Sequence, residues 1–239
     1  MLRQSALAVL LALGAQAASA DTIVQWNFNS ATPDGNTGTG ISTPSTGTGT
    51  ASLVGGVTSP SFNSGNGSSD LAADNSGWQT TTYAAQGTGD LTRGVQFTTS
   101  TVGFENIVFG YDLRHSNTSS RYEAVQYSVD GVNFTTAATF DGNAGDTWFN
   151  GRTVDLSSFN AIVANAANLY LRVVASFAPS TLAYAPSADD KSYATSGTWR
   201  FDMVSVSGSV IPAVPEPKNY AMLLAGLGML GFIARRRFR

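Results

Sequence analysis

Apolar and polar side chains alternate at a period of two along much of this chain, and that period narrows the fold more than any other feature. A β-strand points successive side chains to opposite faces, so the alternation marks strands with one buried face. The segments that show it are residues 22–28, 95–99, 105–113, 169–177 and 199–207. The side chains predicted to face inward in the first, third and fourth of these are Val24, Trp26, Phe28, Ile107, Phe109, Tyr111, Leu113, Leu169, Leu171, Val173, Ala175 and Phe177. Several short strands at this spacing predict an all-β fold, an antiparallel β-sandwich or jelly roll.

A hairpin is predicted in the middle of the chain. Residues 121–129 and 132–140 both have strand character, and only Asp130-Gly131 separates them. Asp-Gly between two such segments is typical of a two-residue type I′ turn, in which both central residues have a positive φ. We therefore expect a tight turn at this pair.

The last strand needs an irregularity to bury all its apolar residues. Phe201, Val204 and Val206 are not spaced at a strict period of two. They can share the inner face only if a β-bulge lies near Asp202-Met203. The sequence thus predicts a bulged closing strand.

A tract rich in Thr, Gly, Ser and Pro covers residues 31–50. It has too few apolar side chains to fold alone and is predicted to be a long surface loop of a domain at 21–208. Thr-x-Thr repeats at 46–50 leave an ice-binding Thr array open as an alternative, although the flanking glycines oppose the rigidity such an array needs. Residues 209–217 follow as a Pro-rich linker.

The N-terminus has the three parts of a secretory signal peptide. Arg3 supplies the positive region, an apolar run covers 6–14, and Ala18-Ser19-Ala20 precedes Asp21. Small residues at these two alanine positions are what signal peptidase reads. We predict that residues 1–20 direct the chain to the secretion machinery and that cleavage leaves Asp21 first.

Three features follow one another at the C-terminus. Pro215-Glu216-Pro217 comes first, then an apolar run of 14 residues over 221–234, then a cationic end. The basic residues of that end are Arg235, Arg236, Arg237 and Arg239. As a helix the apolar run would rise about 21 Å, short of the roughly 30 Å hydrocarbon core. The sequence predicts a single transmembrane helix at 218–239 that resides in the inner membrane transiently, with the Arg cluster on the cytoplasmic side.

Pro215-Glu216-Pro217, the Gly-rich apolar helix and the Arg cluster together resemble the PEP-CTERM sorting signal of Gram-negative bacteria. The resemblance implies that an exosortase, a transpeptidase-like integral-membrane enzyme, recognises the Pro-Glu-Pro region and removes the tail during surface sorting. It also implies a host that makes exopolysaccharide and biofilm.

The body resembles a second, less specific pattern. The runs Tyr111-Asp112-Leu113-Arg114 and Gly197-Thr198-Trp199-Arg200-Phe201-Asp202 are similar to those of a recurrent β-sandwich module of secreted bacterial proteins. No dependable activity attaches to that module.

Charge and cysteine content narrow the partners. Six of the 13 basic residues lie in the two ends, so residues 21–217 carry seven of them against all 16 acidic ones. An acidic body is repelled by nucleic acid, which argues against nucleic acid as a partner. The chain has no cysteine, so disulfides, a thiolate metal site and a lipoprotein anchor are excluded.

The sequence offers few groups for catalysis. His115 is the only histidine and is expected in an exposed loop, and no Gly-x-Ser-x-Gly elbow accompanies it. Glu105 and Glu123 are the one candidate carboxylate pair of a glycosidase, although acidic residues on strands more commonly just face solvent. We predict no catalytic residue.

Two acidic segments are the candidates for a structural calcium ion. The turn 141–146 departs from the EF-hand pattern, because Arg152 stands where the bidentate Glu should be, and Asp189-Asp190 is a short acidic pair. Solvated turn carboxylates explain both segments. We predict no cofactor.

Aromatic residues in segments with loop character allow two interpretations. They either pack in the core or stack on sugar rings. These residues are Trp78, Tyr83, Trp148, Tyr184 and Tyr193. The leading hypothesis is a non-catalytic, surface-sorted protein of the extracellular matrix, with exopolysaccharide as a partner. A carbohydrate-binding module, an exported hydrolase and an ice-binding protein remain alternatives.

Overall fold

The computed structural model describes residues 20–212 and 217–237. Residues 1–19 of the predicted signal peptide, and Pro215, Glu216 and Arg239 of the predicted tail, lie outside that range. The described strands are β1 Asp21–Trp26, β2 Thr46–Gly47, β3 Gly49–Val54, β4 Thr58–Ser64, β5 Ser76–Thr81, β6 Gly94–Thr99, β7 Phe104–His115, β8 Tyr122–Ser128, β9 Thr135–Asp141, β10 Thr147–Asp155, β11 Leu169–Ser176 and β12 Trp199–Val210. A 3-10 turn at Ser157–Phe159, a short helix α1 at Asn160–Val163 and a C-terminal helix α2 at Pro217–Arg237 complete the described elements.

The strands form two antiparallel sheets. One has the order β3-β6-β11-β8-β9. The other contains β10, β7 and β12 side by side. On the edge of β12 that faces away from β7, β5 pairs with Trp199–Phe201 and β1 pairs with residues 204–208. β4 adds to β5, and β2 adds to β1. The predicted all-β fold with two antiparallel sheets is therefore confirmed.

The core lies between the two sheets and is built by the alternation seen in the sequence. Val24, Trp26 and Phe28 are fully buried, as are the predicted inner residues of β7, β11 and β12. Phe97 lies at its centre, with ring centroids 5.1 Å from Trp26, 6.1 Å from Phe109, 6.3 Å from Trp78 and 6.4 Å from Phe201. The predicted bulge is also present, because the register of β12 on β7 shifts between Asp202 and Ser205.

The loop predicted at 31–50 ends earlier than expected. Thr46–Gly47 pairs with β1 in one sheet, whereas Gly49 begins β3 in the other, so the chain crosses between sheets at Thr48. Gly47 has a φ of +74°, and a Cβ at this position would stand 2.0 Å from the carbonyl oxygen of Ile23. Glycine is therefore required for the crossing rather than for flexibility. Thr46 and Thr50 belong to different sheets, so they do not form one flat Thr array.

The predicted hairpin is present, but its two-residue turn is wrong. β8 ends at Ser128 and β9 begins at Thr135, so six residues connect them. Only Gly131 of the central pair has a positive φ, +72°. The Asp130 carboxylate accepts bonds of 2.7–2.8 Å from the side chains of Ser128 and Asn133 and from the backbone N–H groups of Val132 and Asn133. These four bonds stabilise the ionised carboxylate, lower the pKa of Asp130 and close the wider loop.

Gly131→Val is expected to lower the free energy of unfolding by about 1 kcal/mol or more, because a β-branched residue is strained at positive φ. The added Cβ would also stand 3.1 Å from the ring of Tyr170. Chemical unfolding of the two proteins measures the difference. Val132→Thr, at a neighbouring position that is 78% exposed, is the control and should change stability by less than about 0.5 kcal/mol. Equal unfolding midpoints for wild type and Gly131→Val would contradict the strain argument.

Candidate functional sites

His115 and Glu123 lie in the interior and not at the surface, which corrects the expectation for both. His115 is the last residue of β7, Glu123 lies in β8, and both are fully buried. Glu123 pairs with the guanidinium of Arg152 from β10, and its Oε1 lies 3.5 Å from the Tyr111 hydroxyl. Polar side chains can occupy this position because Arg152 of β10, Tyr111 of β7 and the loop before β8 supply their partners.

The protonation of His115 follows from its contacts. Nδ1 lies 2.8 Å from the Ser120 carbonyl oxygen, so this nitrogen carries the hydrogen and donates it. Burial first, and the charge of Arg152 second, lower the pKa of His115 to about 3, so the imidazole is neutral. Nε2 and Glu123 Oε2 face each other at 3.4 Å, and neither has another partner in the described structure.

This cluster has no access for a substrate, because His115 and Glu123 are both 0% exposed. Glu105 does not complete a glycosidase pair with Glu123. It lies near the start of β7, six residues before Tyr111, which corresponds to about 20 Å along a strand. The arrangement is a buried ion-pair network that ties β7, β8 and β10 together.

Arginines pair with the acidic residues considered for calcium. Arg121 bonds Asp141 at 2.7 Å and Asp189 at 2.9 Å, and Arg114 bonds Asp146 at 2.9 Å. Asp190 pairs with Lys191 at 2.7 Å. Within residues 20–212 and 217–237, no group of three or more His, Cys, Asp or Glu side chains could hold a metal ion.

A pair of neighbouring carboxylates is buried on the outer face of the seven-stranded sheet. Asp112 of β7 and Asp202 of β12 are direct cross-strand neighbours, 1% and 0% exposed. Ser68 Oγ donates to Asp202 at 2.6 Å, and the Ser69 N–H donates to Asp112 at 2.6 Å. Burial, with smaller contributions from nearby Asp70 and Asp112, raises the pKa of Asp202 to about 8. The pair fastens the 65–75 loop over the sheet.

The aromatic residues singled out in the sequence do not form a sugar-stacking platform. Trp78, Tyr83 and Tyr184 are at most 5% exposed and belong to the core. Tyr193 stacks on Tyr184 at 4.7 Å, and half-buried Trp148 donates its indole N–H to the Asn66 carbonyl at 2.9 Å. Core packing explains most of this set.

The outer face of the five-stranded sheet presents a surface that sequence reasoning missed. Leu171 and Val173 of β11 point inward, so Tyr170 and Arg172 between them point outward. Arg172 lies beside Gln96 of β6 and Gln126 of β8 in the sheet register. The residues between the inward-facing ones in the same period-two pattern would have identified this surface.

The tail forms helix α2 from Pro217 to Arg237, with Arg235, Arg236 and Arg237 in its last turn. Proline suits the first turn of a helix, where its missing N–H has no intrahelical acceptor, and arginines suit the last turn, where carbonyl groups carry partial negative charge. Among the described residues, no helix has the length and apolarity needed to span a membrane. The family model for the PEP-CTERM protein-sorting motif matches residues 213–237.

The chain carries a PEP-CTERM sorting motif. The match includes Pro215, Glu216 and Pro217, together with three of the four arginines at the end of the tail. The PEP-CTERM motif implies an exosortase as its processing partner, and with it export and membrane-associated processing. No curated protein sequence matches the chain.

Several solved structures resemble the body at low identity. The CBM22-1 and GH10 modules of Clostridium thermocellum xylanase 10B, complexed with xylohexaose, share 13% identity over 81% of this chain and 30% of theirs, with a TM-score of 0.45. The CBM22 tandem of Paenibacillus barcinonensis Xyn10C shares 13% identity over 85% of this chain and 49% of its own, with a TM-score of 0.45. The K1 cleaved adhesin domain of Porphyromonas gingivalis Lys-gingipain shares 14% identity over 68% of this chain and 99% of its own, with a TM-score of 0.38. The chain thus spans less than half the length of either xylanase structure, and likenesses at this level carry no information on activity.

Proposed function

We propose that this protein is exported, sorted to the cell surface through its PEP-CTERM tail, and released into the extracellular matrix as a non-catalytic β-sandwich. The PEP-CTERM motif at 213–237 carries this proposal, because it follows directly on a folded body that ends at Val210. In this scheme the secretion machinery recognises residues 1–20, signal peptidase cuts before Asp21, and an exosortase acts at the Pro-Glu-Pro region.

The local chemistry of the tail supports processing. Pro217 begins α2, and the residue before a proline is disfavoured in a helix, so a proline at this position suits a helix that starts after the recognition region. The apolar run of 221–234 would reach only about 21 Å, so the tail serves as a transient inner-membrane intermediate and not as a permanent anchor. The terminal arginines hold that end on the cytoplasmic side.

The interior of the body supports a non-catalytic role. The only histidine and the carboxylate beside it are both sealed from solvent. Glu105 lies too far along β7 to act with Glu123.

Carbohydrate binding is a second candidate function. The observation in its favour is the polar outer face of the five-stranded sheet, where half-buried Tyr170 and Arg172 project beside Gln96. Gln126 flanks Arg172 on the other side and is 7% exposed. Amide groups and an aromatic ring on a sheet face suit the hydroxyls and ring faces of sugars. Exopolysaccharide of the host matrix is the partner that fits this face.

Replacing Pro215, Glu216 and Pro217 together with alanine is expected to leave export intact. Full-length protein that still carries the tail should then accumulate in the inner membrane. The reason is that the exosortase loses its extended recognition segment. Intact mass of the protein from each cell fraction measures the outcome, and the same spectra show whether the mature chain begins at Asp21. A control with alanine at Ile211 and Pro212, just outside the matched motif, should be processed normally. If the triple variant reached the surface with normal efficiency and mature mass, the sorting proposal would be wrong.

A further inference from the structure

The seven basic residues of the body differ in what they bind. Arg114, Arg121, Arg152 and Lys191 pair with carboxylates. Arg93 and Arg200 each donate from a terminal nitrogen to a backbone carbonyl, of Thr82 and Ser64. In Arg172 only Nε is used, and within residues 20–212 and 217–237 both terminal nitrogens lack a partner. Arg172 is therefore a cation whose two-pronged end is available.

The guanidinium of Arg172 is nonetheless held in place. Its Nε donates to Gln96 Oε1 at 2.9 Å, and its central carbon lies 3.5 Å from the centroid of the Phe134 ring. A guanidinium on an aromatic face with one fixed hydrogen bond loses little conformational entropy on binding. The two free nitrogens present a fork that matches a carboxylate.

The six-residue loop between β8 and β9 builds one wall of this site. Phe134 ends the loop and covers Arg172, and Gly131 lies against the Tyr170 ring. The Asp130 carboxylate is occupied by its four hydrogen bonds within the loop. A two-residue turn would have removed this wall from the sheet.

Apart from Arg172, two rows of this face are polar and uncharged, whereas the next row, with Val54, Val174 and Ala124, is apolar. The row through Arg172 crosses all five strands, and five strands at about 4.8 Å spacing give it a length of about 19 Å. Its members are Ser52, Gln96, Arg172, Gln126 and Thr136. The adjacent row contains Thr50, Thr98, Tyr170 and Ser128. Arg172 is the single charged residue in these two rows, and it lies on a body whose net charge is negative.

We infer that this face binds a carboxylate-bearing polysaccharide, with the Arg172 fork on a uronate carboxylate and the half-buried Gln96 amide on its hydroxyls. Gln126, on the other side of Arg172, is 7% exposed and supports the face from beneath. The inference rests on the carbohydrate-binding candidate and adds the ligand class. A neutral sugar would leave the fork without an acceptor of opposite charge. The acidic remainder of the body does not prevent binding at 0.15 M salt, where charges more than about 8 Å apart are largely screened.

Polygalacturonate and its methyl-esterified form are matched probes, because esterification removes the charge and keeps the backbone. We expect the full-length protein in detergent to bind the free acid at least about 10-fold more tightly than the ester, since a charge-assisted hydrogen bond contributes about 1.5–3 kcal/mol. Titration calorimetry at 0.15 M salt measures both affinities without any variant. Equal affinity for the two polymers would overturn the inference.

Variants then locate the contact. Arg172→Gln should weaken binding of the free acid about 10-fold or more, and Arg172→Lys should also weaken it, because an ammonium lacks the planar fork. Arg114→Gln removes the same charge from the other sheet and should leave affinity within about 2-fold. Unchanged unfolding midpoints would show that the variants fold. If Arg172→Gln does not fold, the affinity of Arg172→Lys is used for the test.

The remaining outcomes separate the two hypotheses. Binding of neutral glycans without preference for polygalacturonate would keep the carbohydrate-binding candidate and overturn the role of Arg172. Absence of binding to both acidic and neutral glycans would overturn both. Neither outcome bears on processing of the PEP-CTERM tail.

Discussion

Arg152→Met is expected to lower the free energy of unfolding by about 3–5 kcal/mol, because it leaves the fully buried Glu123 carboxylate without its cation. The guanidinium also donates to the Asp141 carbonyl at 3.0 Å and packs between the rings of Phe140 and Phe149. Methionine keeps much of that packing, so the loss reports mainly on charge. Urea unfolding measures it.

Two further variants isolate the ion pair. Adding Glu123→Gln to Arg152→Met removes the unpaired charge and should recover a large part of the stability. Arg114→Met breaks a pair whose Asp146 side chain is 51% exposed, and it should cost less than about 1 kcal/mol. If Arg152→Met alone cost no more than this surface control, the network would not depend on the charge of Arg152.

Phe97→Ala is expected to lower the free energy of unfolding by about 3–5 kcal/mol. The ring is 1% exposed and lies among four other aromatic rings, all from the opposite, seven-stranded sheet, so its removal leaves a cavity that the rigid strands cannot fill. Thermal or urea unfolding gives the value. Thr98→Ala, on the next residue and facing outward, is the control and should change stability by about 0.5 kcal/mol or less. A loss below about 1 kcal/mol at Phe97 would mean that the core repacks around the gap.

The alternation of side chains predicted the strands that have one apolar face, and it could not predict the others. β4 and β5 were missed because each contains a single large apolar residue, Phe62 and Trp78. Ser76 and Thr80 of β5 are nonetheless fully buried. Small polar residues can be buried on a covered strand, and a period-two search for apolar residues does not detect them.

The errors at the candidate sites have a related cause. Sequence reasoning placed His115 and Glu123 at the surface because isolated polar residues are usually exposed. Ser120, the partner of His115, lies in the loop after β7, and Arg152, the partner of Glu123, comes from the opposite sheet. Only the packing of the two sheets brings Arg152 and Glu123 together. The Asp130-Gly131 pair was misassigned because the Asp130 side chain, rather than the backbone, organises the turn.

The pairing of β1 with β12 joins the first and last strands of the body, since Asp21 lies opposite Gly208 and Trp26 opposite Val204. A chain that crosses a membrane from its N-terminus delivers β1 early, yet the partner of β1 emerges only about 180 residues later, immediately ahead of the tail. Until then the edge of β1 that pairs with β12 has unpaired backbone N–H and C=O groups, a condition that favours aggregation. In the proposed export route, the sheet can therefore be completed only as the sorting tail reaches the membrane, and cleavage after that moment would release a finished domain.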